Sequence, residues 1–147
     1  MATYTAVAAQ AAVQPKGLRV GLVAVRSTYS IGAVSLSAGD IFQMIKVPAN
    51  ATPVFIQYGC SNASDQYLMH VGDGISTQRY RSYATYSVTF GMAVAGLPGQ
   101  GQVSFLATTP YTYSADDTID IFISTITATS TIGGAFYMNA IFSMNPD

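Results

Sequence analysis

The sequence predicts an all-β fold, an antiparallel, jelly-roll-like β-sandwich with an N-terminal arm. The chain has no Glu, no Trp and only two Lys, so many good helix formers are missing, whereas Tyr, Thr, Val, Ile and Phe are plentiful. Short apolar runs alternate with turn signals about every 8–12 residues, and no helical period is present. With 147 residues, no internal repeat and no linker, the chain is expected to form one sandwich domain.

The central unit of the predicted fold is a candidate organising hairpin of two strands. The turn signal Ser37–Asp40 precedes a strand over Ile41–Val47, and a proline corner at Pro48–Ala51 separates it from a second strand over Val54–Tyr58. Strict alternation divides the side chains of the first strand into two sets: Ile41, Gln43, Ile45 and Val47 on one face, and Phe42, Met44 and Lys46 on the other.

The other strands follow from apolar runs between turns. They are predicted, in chain order, over Leu18–Arg26, Tyr29–Leu36, Gln66–Val71, Ser87–Ala95, Val103–Thr108, Thr118–Ala128 and Ala135–Met144. The first of these runs is apolar on both faces, so we expect it inside the sandwich and not at a solvent-facing edge. The last two are joined by a predicted hairpin loop, and Asp120 is expected on the polar face of its strand.

The N-terminal segment Met1–Pro15 is uncharged and rich in Ala. It lacks a positive leading region and a sustained apolar segment, so it does not resemble a signal peptide, and it is too short and polar to span a membrane. We predict an arm over residues 1–16 and a β-sandwich domain over residues 17–147. The arm becomes ordered against a neighbouring protein, extended or as a short helix, or it is a frayed terminus.

Charge is scarce in this chain. Only 9% of the residues are charged, against about 25% in an ordinary soluble domain. This favours a surface that is covered by other copies or other proteins, with a monomer covered by uncharged polar side chains as the alternative. The net charge is −1 and Lys and Arg are not clustered, so binding to a nucleic-acid backbone is not supported.

The residues that carry chemistry do not form a recognisable site. His70 is the only histidine and lies in a predicted strand, and the single Cys60 excludes an intrachain disulfide and a cysteine zinc site. Asp116, Asp117 and Asp120 do not have the spacing of a calcium loop. A paired-carboxylate glycosidase site needs supporting polar and cationic residues that the chain scarcely has. We therefore predict no enzyme activity, no catalytic residue, no cofactor and no metal.

Protein contact is the interaction that the residue types favour. The segment Gln78–Tyr86 combines Tyr and Arg, which are enriched where protein surfaces meet. The same types could stack on bases, but only two cations lie here, and an ordinary exposed loop is the remaining alternative. With the arm, this gives the candidate protein-interface residues Tyr4, Val7, Val13, Arg79, Tyr80, Arg81 and Tyr83.

Four stretches carry a resemblance to a known class of protein. They are LSAGDIFQMIKVPANATPVFIQYG, YLMHVGDGISTQRYRSYA, PYTYSADDTIDIFIS and the closing GGAFYMNAIFSM. Their order resembles small virion structural proteins of tailed bacteriophages, the head decoration (cement) type. The matching motifs are Ala38–Asp40, Lys46–Ala49, Val71–Gly74 and Asp116–Asp120, and the resemblance covers about residues 34–144. These motifs consist of turn and strand residues.

The resemblance implies a non-enzymatic β-sandwich on the outside of a capsid in the virion, made in the host cytoplasm. Such a protein commonly forms a homotrimer and clamps neighbouring major capsid subunits, which are then its partners besides itself, with no nucleic acid and no membrane. Contact with several shell subunits would add avidity.

The alternative function is a carbohydrate- or receptor-binding β-sandwich of a phage tail or fibre. Tyr80, Tyr83, Tyr86 and Tyr111 could stack on sugar rings, although the Trp that often accompanies them is absent.

Overall fold

The protein is represented by a computed structural model that describes residues 1–10, 21–32, 35–60, 67–84, 90–94, 102–104, 111–126 and 134–144. These residues form ten strands and one helical turn. The elements are β1 (Thr3–Thr5), α1 (Val7–Gln10), β2 (Gly21–Ser30), β3 (Ile41–Val47), β4 (Ala51–Cys60), β5 (Tyr67–Asp73), β6 (Arg81–Ala84), β7 (Phe90–Val94), β8 (Gln102–Ser104), β9 (Asp117–Ile126) and β10 (Ala135–Met144).

The strands form two five-stranded sheets. The first has the order β1-β3-β9-β5-β6 and the second the order β2-β10-β4-β7-β8. All neighbouring pairs are antiparallel except β1 with β3 and β7 with β8, which are parallel. The chain crosses from one sheet to the other between β2 and β3, between β3 and β4, and again between β4 and β5. The predicted all-β fold, built from two mainly antiparallel sheets, is confirmed, and its jelly-roll-like topology stays a prediction.

The core lies between the two sheets and is built from aromatic and branched side chains. Phe42 of β3 and Phe136 of β10 meet across the layer with ring centroids 4.8 Å apart in an edge-to-face arrangement. Ile121 of β9, which lies opposite Phe42 in the sheet, and Val71 of β5 are fully buried beside them. Burying side chains of this size is the main stabilising contribution to such a fold.

A β-bulge in β3 corrects the predicted alternation of that strand. The pairing of β3 with β9 shifts between Gln43 and Ile45, so that Met44 and Ile45 are both fully buried. A bulge inserts one residue and moves the following side chains to the other face. Ile45 and Val47 therefore join Phe42 in the core, where strict alternation had placed them on the face opposite Phe42.

The predicted hairpins are wrong, although their strands are present. β3 and β4 are separated by the expected corner, where Asn50 adopts a left-handed φ of 65°, but they belong to different sheets. The predicted hairpin between β9 and β10 is wrong for the same reason, since these strands also lie in different sheets. In both cases a short connection joins the two layers of the sandwich and does not return the chain along the same sheet.

β2 lies at an edge of its sheet, and the expectation of an interior strand is wrong. Its described neighbour is β10, with which it pairs over ten residues without a register shift. Leu22 is 67% exposed. An apolar run on both faces did not distinguish an interior strand from this edge strand. The first residues of the predicted strand, Leu18 to Val20, lie outside the described part.

The first residues of the chain are part of the sandwich. β1 adds a parallel strand to β3, and Tyr4 stacks on Phe42 with ring centroids 4.8 Å apart. Asp40 holds the start of this strand, since its Oδ1 accepts a hydrogen bond of 2.7 Å from the Ala2 N–H. Its Oδ2 accepts one of 2.8 Å from the Ser37 N–H in the predicted turn. The segment is thus ordered against its own chain. The proposed boundary at residue 16 lies outside the described part and stays a prediction.

Candidate interaction surface

A buried carboxylate organises the end of the sandwich where β5 terminates. Asp73 is fully buried, and its Oδ1 accepts hydrogen bonds from the Ile75 N–H at 3.1 Å and the Ser76 N–H at 2.7 Å. The Asp73 N–H in turn donates to the Ser76 carbonyl oxygen at 3.0 Å. Asp side chains commonly bond backbone N–H groups two or three residues later and so close a turn. Asp73 therefore fixes the loop between β5 and β6.

The second oxygen of Asp73 is the centre of an ion pair and a tyrosine network. Its Oδ2 accepts hydrogen bonds from the Arg79 Nε–H and, at 3.0 Å, from the Tyr113 hydroxyl. The Tyr113 hydroxyl also lies 2.5 Å from the Tyr80 hydroxyl. A buried carboxylate is tolerated only when it is paired and hydrogen-bonded, and both conditions are met here. The network connects the loop after β5 to the segment before β9.

The ionisation of these groups follows from their burial. Burial raises the pKa of Tyr113 and of Tyr80 well above the usual range, so both hydroxyls stay protonated and can donate. For Arg79, burial acts to lower the pKa, but the hydrogen bond and the charge of Asp73 outweigh it and raise the pKa. Arg79 therefore stays protonated at all ordinary pH values.

Arg79 also covers an aromatic ring. Its guanidinium carbon lies 3.6 Å from the ring centroid of Tyr111, which is within the range of a cation–π contact. Tyr111 meets Tyr113 edge to face, with ring centroids 5.0 Å apart. The side chain of Arg79 is only 18% exposed. Its contacts with Asp73 and Tyr111 hold it against its own chain, so it offers little free surface to a partner.

Two glycines allow the close approach of these segments. A Cβ at Gly72 would lie 2.2 Å from the Ser76 carbonyl oxygen, a distance that no side chain tolerates. A Cβ at Gly74 would lie 2.9 Å from Asp117 Oδ1. The sequence Gly72-Asp73-Gly74 was predicted only as a turn. The glycines let the backbone approach its neighbours, and the Asp supplies the bonds.

A cavity of about 340 Å³ lies between the two segments. It is lined by Gly74, Ile75, Tyr111, Tyr113, Ser114, Ala115, Asp116 and Asp117. Ile75 is 73% exposed, an unusual position for a large apolar side chain. Because Asp73 accepts hydrogen bonds from the Ile75 and Ser76 N–H groups, the backbone that carries this exposed side chain is fixed.

The far wall of the cavity is attached to the corner between β3 and β4. Asp116 Oδ1 accepts a hydrogen bond of 3.1 Å from the Ala49 N–H, and its Oδ2 lies 3.1 Å from Lys46 Nζ. The bond from Ala49, and then that from Lys46, lower the pKa of Asp116. The Tyr113 N–H donates to the Ala51 carbonyl oxygen at 3.0 Å. The predicted surface cation Lys46 therefore fixes a loop through an ion pair.

The predicted interface residues are dispersed. Tyr80 is 1% exposed, so its side chain lies inside the chain and cannot form a surface contact. Tyr4 is half-buried against Phe42, whereas Val7 is 72% exposed. Arg81 lies in β6 together with Tyr83; the side chains of both, and all of Val13, lie outside the described part. The interface role of the set stays a prediction, for which Val7 is the most accessible described member.

The other residues considered for chemistry lie in strands. His70 is buried in β5 opposite Phe122, and its burial lowers its pKa, which keeps the ring neutral at pH 7. Cys60 is the last residue of β4, and its side chain lies outside the described part. Asp120 is buried in β9, which corrects its predicted place on a polar face. No group of three or more metal-ligating side chains occurs among the described residues, and none of the described helices could span a membrane.

Comparison with known proteins relates the fold to three bacteriophage capsids. No protein-family model matches the chain, and no curated protein matches its sequence. A solved structure of the capsid of Ralstonia phage GP4 contains a similar chain, with a TM-score of 0.68 and 15% identity over 99% of both chains. A chain of the cyanophage Pam1 capsid asymmetric unit is similar over 92% of this chain and 94% of that one, with a TM-score of 0.61 and 16% identity.

The third similar structure is the acid-stable capsid of the Helicobacter pylori bacteriophage KHP30. There the TM-score is 0.56 and the identity 8%, over 83% of this chain and 86% of that chain. At identities this low, a shared fold is what these similarities establish. Because nearly all of each chain is covered, the matching chains are also close to this one in length.

Three residues around the cavity were not predicted from the sequence as parts of a site. Tyr113 and Ile75 were not singled out, and Asp117 was considered only for a calcium loop, whose spacing it does not match. One signal in the sequence could have indicated them: Asp recurs beside Gly or Asp next to predicted strands. An Asp in such a position can accept hydrogen bonds from several backbone N–H groups and so fix a loop. The partners that Asp73 and Asp116 select, 40 and 67 residues away, are set by the tertiary fold.

Proposed function

We propose that the protein is a non-enzymatic structural component of a bacteriophage virion that binds the outside of the capsid and clamps neighbouring major capsid subunits, as a homotrimer. The single observation that carries the proposal is the agreement over 99% of both chains with a chain of a phage capsid. The agreement extends from one terminus to the other.

The composition supports an assembled state. Charged side chains keep an isolated protein soluble, and only 9% of the residues of this chain are charged. A surface that is covered by other subunits needs few charged side chains. Described apolar side chains are exposed at separate places, with Val7 at 72% and Ile75 at 73%. Contacts at separate places suit a protein that touches several subunits at once.

The alternative, a carbohydrate-binding module, has weaker support. Of the four tyrosines considered for sugar stacking, Tyr80 is buried and Tyr111 has one ring face covered by Arg79. The side chains of the other two, Tyr83 and Tyr86, lie outside the described part. Binding on a glycan array that is lost in Tyr83→Ala would favour this alternative.

The test is reconstitution on capsids that lack the protein. We expect the added protein to bind and to raise the temperature at which these capsids break open. Val7→Asp should weaken binding, because a charge would be buried at the contact, whereas Leu22→Asp, at a similarly exposed apolar position on β2, should not. Light scattering should give the mass of three 15.5 kDa chains. Failure to bind or stabilise capsids would contradict the proposed function, and a monomer would contradict the trimer.

A further inference from the structure

The cavity between the β5–β6 loop and the segment before β9 has two walls that are fixed in advance. Asp73 bonds the backbone of Ile75 and Ser76 in one wall. In the other wall, Asp116 bonds the Ala49 N–H and Lys46. A site whose walls are already fixed loses little conformational entropy when a ligand binds. Its volume of about 340 Å³ lies within the ordinary range of ligand sites.

Of the three described carboxylates at or beside the cavity, two form ion pairs and the third does not. Asp116 is paired with Lys46 at 3.1 Å, and Asp73 is paired with Arg79. Asp117 accepts a hydrogen bond of 2.8 Å from the Thr118 N–H through its Oδ1. No cationic side chain of the described residues forms an ion pair with it. Within the described part of the chain, Asp117 is therefore the carboxylate of the cavity lining that lacks a cationic partner, which favours a cationic ligand.

The remaining lining selects the type of cation. Ile75, Tyr111, Tyr113 and Ala115 supply apolar and aromatic surface. A divalent metal needs about six converging oxygen ligands, and no such group is present among the described residues. An arginine side chain, in contrast, packs its methylene stem against apolar surface and bonds a carboxylate with its planar head. The contact of Arg79 with Tyr111 shows that this aromatic cluster accepts a guanidinium.

We propose that this cavity binds the guanidinium side chain of an arginine from a partner protein, with Asp117 as its counter-ion and Ile75 and Tyr111 along its stem. The identification of that partner as a capsid subunit rests on the proposed function, but binding of the side chain does not. Gly74 leaves room for the Asp117 carboxylate, since a Cβ there would lie 2.9 Å from Asp117 Oδ1.

The test uses the full chain and two probes of matched shape. Nα-acetyl-arginine amide and its neutral analogue Nα-acetyl-citrulline amide are titrated while the backbone amide resonances are followed by NMR. We expect arginine amide to shift the resonances of Gly74, Ile75, Ser114 and Ala115. Citrulline amide should bind about tenfold more weakly, which corresponds to the lower end of the contribution of a hydrogen bond between charged groups.

Asp117→Asn is the decisive variant. It keeps the shape of the side chain and removes the charge, so arginine amide should bind it about tenfold more weakly, while citrulline amide binds both forms alike. Unchanged spectra outside the cavity will show that the variant is folded. Equal binding of the two probes to the original protein, or no shift at the cavity, would overturn the proposal.

A capsid-binding measurement distinguishes failure of the cavity proposal from failure of the proposed function. If the protein binds arginine amide through Asp117 but does not bind capsids, the cavity proposal stands and the proposed function fails. If it binds capsids and Asp117→Asn binds them equally well, the function stands and the arginine at the contact is refuted.

Discussion

Replacing Asp120 by Asn should stabilise the protein at neutral pH. Asp120 is 2% exposed in β9, and its Oδ1 has no hydrogen-bond partner among the described residues. Burial raises its pKa to about 7, and the nearby charges of Asp117 and Asp73 act in the same direction, against a hydrogen bond with the Thr118 side chain. Asn keeps the size of the side chain and carries no charge.

The direction of the effect follows from proton linkage. In the unfolded chain the carboxyl of Asp120 loses its proton near pH 3.8, but in the folded protein it keeps the proton up to about pH 7. Between these values the folded state binds more protons than the unfolded state, so stability falls as the pH rises. Above about pH 7 both states are ionised, and the full destabilisation is present.

The magnitude follows from the two pKa values. The pKa rises from 3.8 to about 7, and each unit corresponds to about 1.4 kcal/mol, so the ionised Asp120 costs about 4 kcal/mol. This is a large part of the ordinary free energy of unfolding, about 5–15 kcal/mol. Urea unfolding of both proteins, followed by circular dichroism from about pH 4 to pH 8 at one protein concentration, measures the difference.

The control is the same substitution at Asp116, a carboxylate whose pKa is shifted in the opposite direction. Asp116 is exposed and its pKa is lowered, so Asp116→Asn should slightly reduce stability at neutral pH and leave the slope between about pH 5 and pH 8 unchanged. Comparing each variant with the original protein removes the contribution of His70, whose lowered pKa acts in the opposite direction. Parallel stability curves for Asp120→Asn and the original protein would refute the buried, protonated carboxyl.

Three further substitutions test the packing of the described residues by urea unfolding. Asp73→Ala leaves Arg79 without its counter-ion and should cost about 3–5 kcal/mol; a loss below about 1 kcal/mol would contradict a buried, coupled network. Gly72→Ala places a Cβ 2.2 Å from the backbone of the following loop, so it should destabilise strongly, and a neutral result would refute the described loop path. Tyr4→Ala removes the stacking on Phe42 and should cost about 2–4 kcal/mol of the free energy of unfolding. Val7→Ala, at an exposed position, should change it by no more than about 0.5 kcal/mol. Equal losses in the two variants would contradict the packing of Tyr4 and would indicate a frayed N-terminus.

The strands could be predicted from the sequence because a strand is a local pattern. β3 occupies Ile41–Val47 and β10 occupies Ala135–Met144, as the alternation of apolar residues and the flanking turns indicated. The pairing of strands could not be predicted in the same way. A short connection suits a hairpin and a crossing between sheets equally well, and the choice depends on where the whole core buries both strands. The bulge at Met44 likewise depends on the partner strand β9.

The contacts of the candidate interface residues also could not be predicted from the local sequence, as the first residues of the chain show. An uncharged, Ala-rich segment gives no periodic signal, yet Tyr4 and Ala6 are placed by Phe42 and by the hydrogen bond of the Ala6 N–H to the Gln43 carbonyl oxygen. Tyr80 was selected as a contact residue because of its type. Its burial follows from a hydroxyl partner, Tyr113, that lies 33 residues away. Residue type predicts what a side chain can do, while its partners depend on the tertiary fold.

The motifs that carry the resemblance to phage proteins have a structural explanation. Asp40, Asp73, Asp116 and Asp117 each accept at least one backbone N–H, and together they fix the start of β1, the loop after β5, the corner after β3 and the start of β9. In a chain with only seven acidic residues, most of the described carboxylates thus hold loops in place. The motifs are therefore explained by the connections between the strands of this chain. They leave the partner undetermined, so the described groups most informative about function are the exposed Val7 and Ile75 and the carboxylate of Asp117, which forms no ion pair with a described cationic side chain.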